Sequence, residues 1–305
     1  MRKKWLGIGL SVGITGALIW GYGASASADS TTMGVYESAL HQTKEAKSMT
    51  AHAQLALTDN GVKLLALEGV AKIDHNQHIG NVDATFTDML GEKSMQAFLE
   101  KDQVVVKKGD SNVYRVMEKM DRTHQPENDA ENKRGAMMHK LFASVFGDLG
   151  KNATVENLPD GGKRTSLQLS EEQIPAFIQA AGPIIYDKLA EHSQEASSSE
   201  NHLSVKLPRL QEDFQVDTVL LNAKIDEKNQ IEQQSAVVHL SGTDASGKEH
   251  KLQLSLDIRL SDLGTTIPDR IDLTGKQVEK VSREDMKNKW RKGWTKHSDF
   301  ESSKP

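Results

Sequence analysis

From Leu252 to Leu260, Leu252, Leu254, Leu256, Ile258 and Leu260 alternate without a break with Gln253, Ser255, Asp257 and Arg259. Successive side chains of a strand point to opposite faces, so this segment predicts a strand with one aliphatic side and one polar side. A sheet made of such strands must cover its apolar face with another layer. That requirement organises the rest of the chain.

The same period of two begins at Thr50, where Ala51, Ala53, Leu55 and Leu57 alternate with Thr50, His52 and Gln54, and ends at the turn signal Asp59-Asn60-Gly61. Further strands are predicted over 62–73, 79–87, 94–99, 104–107 and 113–117, separated by turn-forming pieces such as Asp74 to His78 and Gly109-Asp110-Ser111. No pair of these strands is separated by the helical crossover that parallel pairing needs, so the segment reads as an antiparallel meander. A hairpin is expected over 153–158 and 164–169, and a second meander over 214–225, 231–241 and 250–260.

Helical periodicity occupies three places. Gly34 to Lys47 forms a modest amphipathic helix ahead of the first meander. Met138, Leu141, Phe142, Val145, Phe146 and Leu149 fall at i, i+3, i+4, i+7, i+8 and i+11 and so share one helix face. Ser170-Glu171-Glu172-Gln173 is a capping-box pattern, and Ile174, Phe177, Ile178, Ala181, Ile185 and Leu189 keep helical phase through Gly182-Pro183, which predicts a single kinked helix. The fold class expected from this order is α+β, a strongly curved antiparallel sheet, or half-barrel, with helices covering its concave face. The other arrangement compatible with the order is two tandem α+β modules divided near 193–202.

The first 28 residues carry a different message. Arg2, Lys3 and Lys4 precede an apolar run from Trp5 to Tyr22, and Ala24-Ser25-Ala26-Ser27-Ala28 offers small residues before Asp29, the pattern of a cleaved secretory signal peptide. Left uncleaved, the run is nearly long enough to act as an anchor, although its glycines weaken it as a helix. Either outcome places the working protein outside the cytoplasm. The sequence has no cysteine, which excludes acylation as a lipoprotein, disulfides and thiolate chemistry. Cleavage would remove three cations and no acid, taking the formal charge from −5 down by three to −8, a poor balance for binding nucleic acid.

Enzymatic signatures are sparse. There is no Gly-x-Ser-x-Gly, Ser-x-x-Lys or His-Glu-x-x-His pattern, and His75 and His78 sit in a turn with only Asp74 beside them, so no catalytic residue, metal site or cofactor is assigned. Asp160-Gly161-Gly162-Lys163-Arg164 reads as a hairpin tip and not as a phosphate loop.

The helix over 34–47, running directly into Ser48-Met49-Thr50-Ala51-His52-Ala53-Gln54-Leu55-Ala56-Leu57 and then a succession of hairpins, resembles the LolA/LprG-like superfamily of exported lipid and lipoprotein carriers. That resemblance implies a half-barrel whose helices cap an apolar cavity for acyl chains. With the signal segment, loops and tail read from their own residues, the expected division is 1–28 signal peptide, 29–281 a single LolA-like domain with mobile loops at 119–133 and 193–202, and 282–305 a basic, Trp-containing C-terminal helix and tail.

The candidate ligand-cavity residues are Leu141, Phe142, Val145, Phe146, Ile174, Phe177, Ile178, Ile185, Leu254 and Leu256. They line a cavity for an apolar ligand or fill the core outright; with aromatics at only 5%, a long curved sheet encloses more space than such side chains readily fill. At the C-terminus, Trp290 and Trp294 share a predicted helix side among Lys287, Arg291 and other basic residues. This suits either an anionic membrane surface or cell-wall polymer, or a closing helix packed on the domain. The sequence therefore predicts an exported, non-enzymatic binder or carrier of a lipid-like molecule, with an envelope interaction protein of filled core as the alternative.

Overall fold

The computed structural model describes residues 32–109, 111–118, 152–176, 178–180, 182–183, 186–187, 190 and 207–281. The predicted signal peptide, the loop at 119–133, the helix at 138–149, Phe177, Ile185, the segment 193–202 and the tail 282–305 lie outside the described residues.

Helix α1 (Thr32–Lys44) leads into β1 (Ser48–Asp59), β2 (Val62–Asp74), β3 (Ile79–Asp88), β4 (Gly91–Leu99), β5 (Gln103–Lys108) and β6 (Val113–Glu118). Then come β7 (Ala153–Asn157), β8 (Lys163–Ser170), a 3-10 turn (Glu171–Gln173) and helical positions between 176 and 190. β9 (Leu210–Ile225), β10 (Ile231–Asp244), β11 (Glu249–Ser261) and β12 (Gln277–Val281) complete the described chain. The strands form one curved sheet in the order β12-β6-β5-β4-β3-β2-β1-β11-β10-β9-β8-β7. This is the α+β half-barrel expected.

Turn chemistry explains the hairpins. Asn60 and Gly61 have φ of 49° and 79°, the paired left-handed conformation that lets a two-residue turn follow the twist of its strands. At the β9–β10 turn, Asp226 Oδ1 accepts the amides of Lys228 and Gln230, 3.0 and 2.7 Å away. Register irregularities at Leu57/Thr58 in the β1–β2 ladder, and at several steps of the β9–β10 ladder, supply the local bends that curvature needs.

The two meanders join through β1 and β11, which pair antiparallel from Thr50↔Ser261 to Asp59↔Leu252. The C-terminal strand departs from expectation. After β11 the chain crosses the convex face, and β12 then pairs parallel to β6 at the far edge. The crossing is pinned by a 2.8 Å Thr50–Thr266 hydroxyl contact, by Asp269 against Lys72 (2.9 Å) and Asn81, and by Ile271 and Leu273 packed on Phe98, Val105 and Val116. Short strands without strong alternation hide this element from periodicity.

On the concave face, α1 sets Ala39 and Leu40 against Met49, Ala51, Ala53, Ala71, Ile225, Ile231, Ile258 and Leu260. Thr43 fixes it: its buried hydroxyl donates to Ala39 O and accepts the Ile231 amide, both at 2.7 Å. The second helical stretch covers the opposite end, placing Tyr186 and Ala190 on Leu207, Leu210 and Leu252. Gly182 lets that stretch pass β9, since a Cβ there would stand 2.7 Å from Phe214 Cε1. Among the described residues these two covers leave the middle of the concave face only partly covered.

Candidate functional site

Register defines what occupies that middle. One row of side chains runs across Leu221 of β9, Ala236 of β10, Leu256 of β11, Leu55 of β1 and Leu67 of β2. The adjacent row runs Val219, Val238, Leu254, Leu57 and Leu65 on the same five strands. At about 4.8 Å per strand step the rows extend for roughly 19 Å. All ten side chains share one face, and all are apolar.

Burial is uneven along these rows. Leu67 is buried, whereas Leu55, Leu57, Leu65, Leu256 and their β9 and β10 neighbours are only partly covered and Leu254 is 38% exposed. Aliphatic side chains at the centre of a concave sheet face normally close first, because each buried side chain contributes about 1.5–3 kcal/mol. Here the ends are sealed and the centre is only partly covered: Leu57 and Leu65 pack against the Tyr186 cluster and Leu256 against the α1 cluster, while Leu254 stays exposed. Leu254 and Leu256, two of the predicted ligand residues, sit in this saddle. Ile174 and Ile178 pack with Leu167, Leu169 and Val216 at the β8–β9 side, in one cluster with Val219, Leu221 and Val238 at the end of the rows, and Ile174 is buried. Leu141, Phe142, Val145, Phe146, Phe177 and Ile185 lie outside the described residues, as do Lys287, Trp290, Arg291 and Trp294.

Beside the saddle, small residues thin the sheet. Ala53, Leu67, Gly69, Val70, Ala71, Val82 and Ala84 line a hollow of about 20 Å3, room for about one water. Gly69 belongs there because a Cβ would stand 3.2 Å from Asp83 O.

A polar cluster closes the end of the rows nearest the β1–β2 turn. Asp59 is the next concave-facing residue after Leu57 on β1, and His250 precedes Leu252 on β11. The buried His250 ring has Nδ1 2.8 Å from Asp59 Oδ2 and Nε2 3.1 Å from Asp244 Oδ2. Asp59 Oδ1 is buried and has no hydrogen-bond partner. Hydrogen bonds from Ser246 first, and then from His250 and the backbone amides of Lys248 and Ser246, hold the Asp244 carboxyl well below the usual carboxylate range. Burial, with Asp59 and Asp187 nearby, pushes the Tyr186 phenol up; its hydroxyl donates to Pro208 O at 2.8 Å.

Beside the imidazole, Ser246 Oγ donates to Asp244 Oδ1 at 2.6 Å. Among the described residues no three His, Asp or Glu side chains are placed to hold a metal ion. The sequence did hold a signal for this cluster: His250 falls in phase with the aliphatic face of β11, where a polar residue needs partners.

No protein-family model matches the chain, and no curated protein sequence matches it. Among solved structures it is similar to an uncharacterized conserved protein from Thermus thermophilus, at 8% identity over 82% of this chain and 98% of that one, with a TM-score of 0.25. A LolA superfamily protein from Nitrosomonas europaea is matched at 9% identity over 80% of this chain and 96% of that one, TM-score 0.22. A β-barrel-like protein of a domain of unknown function from Brucella abortus is matched at 10% identity, over 71% and 99%, TM-score 0.18. At these scores the likenesses carry no argument about function.

Proposed function

We propose that this protein is an exported, non-enzymatic binder or carrier of a lipid-like molecule in the cell envelope, a single half-barrel domain over 29–281 that receives an apolar chain along the concave rows. The observation that carries the reading is the incompletely covered leucine saddle, with Leu254 at 38% exposure in the middle of an otherwise inward-facing strand. A site for an acyl chain needs a long apolar trough, polar groups confined to one end and no catalytic constellation along its floor. The two rows supply the trough, and the Asp59–His250–Asp244 cluster supplies the polar end.

One observation favours the alternative, an envelope interaction protein with a filled core. The hollow beside the saddle has room for little more than one water, so ligand entry requires side chains to give way. Binding of cis-parinaric acid, paired with native mass spectrometry after gentle purification, separates the two. Saturable binding that is lost in Leu254→Asp supports the carrier; ligand-free protein with no fatty-acid uptake leaves the filled-core reading in its place.

A further inference from the structure

The β3–β4 turn is built inside out. Asp88, the polar residue of the tip, has a fully buried side chain: Oδ1 accepts the Leu90 amide at 2.8 Å and Oδ2 meets Lys93 Nζ at 2.9 Å. Met89 and Leu90, the large apolar residues of the same tip, are 65% and 72% exposed. Turns of this kind ordinarily reverse that assignment and present polar side chains to water. Gly91, at φ 117°, supplies the backbone conformation that holds the pair outward.

The neighbouring tip contributes to the same end of the sheet. β2 pairs antiparallel with β3 through Ala66↔Thr87, so Val62, 65% exposed at the start of β2, lies toward the same end of the sheet as the Met89–Leu90 turn. The ladder Met95↔Lys108 and Gln96↔Lys107 brings Lys107 and Lys108 to this end as well. On strands β2 to β5 this end therefore carries the exposed Lys63 and the half-buried Lys107 beside Glu92, while Lys93 is bound to Asp88 and Lys108 is half-buried on the other face from Lys107.

We propose that the Met89–Leu90 turn is a membrane-docking point, inserting both side chains into the interface of an anionic bilayer while Lys63 and Lys107 meet lipid phosphates. A bilayer accepts an apolar tip without a complementary shape, and lysines around inserted apolar groups add electrostatic attraction to anionic lipid. A protein partner would need a surface of about 800 Å2, and a two-residue tip does not provide one.

The full chain contains no cysteine, so Leu90→Cys and Ile267→Cys can each carry one environment-sensitive nitrobenzoxadiazole label. Ile267 is the control, being 82% exposed in the segment anchored by Thr266 to Thr50, at the opposite end of β1. With vesicles of phosphatidylglycerol and phosphatidylcholine, the label at 90 is expected to brighten several-fold and shift to the blue while the label at 267 does not. Met89→Ser with Leu90→Ser is expected to weaken vesicle partitioning at least ten-fold with an unchanged thermal midpoint. The proposal is overturned if the protein does not bind these vesicles. It is equally overturned if the protein binds while the label at 90 stays dim, which would place the contact elsewhere in the chain, or if the double serine variant partitions like the parent.

Discussion

Leu57 and Leu254 face each other across the β1–β11 ladder, the seam where the two meanders become one sheet, and both remain partly open to solvent. Four residues further along β11, Ile258 is 1% exposed beneath α1. The same strand face thus changes from sealed core to open floor.

This contrast separates stability from binding. Leu254→Asp introduces a charge where solvent already reaches, and its expected cost is about 1 kcal/mol or less in the unfolding free energy, with fatty-acid binding abolished. Ile258→Ala removes buried methyl groups and leaves a cavity, an expected loss of about 2–5 kcal/mol with the affinity of the folded fraction retained. Urea titration beside a fatty-acid binding curve measures both quantities. If both variants lose binding only in proportion to their loss of folded protein, the saddle has no ligand role.

His250 joins the ends of three strands, because it stands on β11 and contacts Asp59 of β1 and Asp244 of β10. Removing it leaves two carboxylates without a shared partner, one of them Asp59, whose other oxygen is already unpartnered. Removing one partner so that a buried acceptor is left unsatisfied typically costs about 1–3 kcal/mol. His250→Ala is accordingly expected to lose about 2 kcal/mol, and His250→Ala with Asp59→Leu to recover part of that loss by eliminating the orphaned carboxylate. Denaturant unfolding of the single and double variants tests this; a double variant no more stable than His250→Ala would contradict it.

Much of this fold was legible in the alternation of the chain. Strands whose aliphatic and polar residues alternate, as in 252–260 and 50–57, left one possible reading, and Asn60-Gly61 dictated its turn. What alternation cannot supply is which strands meet: the pairing of β1 with β11 joins Thr50 to Ser261 and Asp59 to Leu252, far apart in the chain, and nothing local encodes it. The parallel β12 escaped because Gln277–Val281 has five residues and only two of them, Val278 and Val281, are apolar. Among the ligand candidates, Leu254 and Leu256 share a sheet face with Leu57 and Leu55, a relation that strand phase makes legible. Ile174 was legible as apolar, but its neighbours Leu167, Leu169 and Val216 were not, since helical phase gives a direction and not a neighbour. The cluster around His250 could have been suspected from one polar residue in an aliphatic phase, but its carboxylates come from other hairpins.

Acid should weaken the β10–β11 hairpin through Asp244. Its carboxyl is held below its ordinary value, mainly by Ser246 and His250, so the ionised form is favoured in the folded state. A group with a depressed folded value contributes its stability in full above the unfolded value and loses it as pH falls through the folded one. The thermal midpoint of the parent should therefore exceed that of Asp244→Asn by a constant margin above about pH 5 and converge on it as the pH falls below about 4. Calorimetry from about pH 6 down to about pH 2.5 measures the margin, and one that widens with acid would reverse the assigned sign.

Gly182 and Phe214 make the most exacting contact between the second helical stretch and the sheet. A Cβ at 182 would stand 2.7 Å from Phe214 Cε1 and 3.3 Å from Cζ, closer than packed carbon atoms tolerate. Alanine in a helix interior gains about 1 kcal/mol over glycine, whereas forcing an extra carbon into a packed site costs about 1–3 kcal/mol, so overlap outweighs propensity. Phe214 is half-buried and its ring also packs 5.7 Å from that of Tyr186, which limits its retreat. Gly182→Ala should then destabilise the parent by up to about 2 kcal/mol and stabilise the Phe214→Leu variant, where propensity alone remains. A double-mutant cycle by urea unfolding reads the coupling directly. A change of sign between the two backgrounds is the expected result, and equal effects in both would mean that the helical stretch does not cross β9 at this close approach.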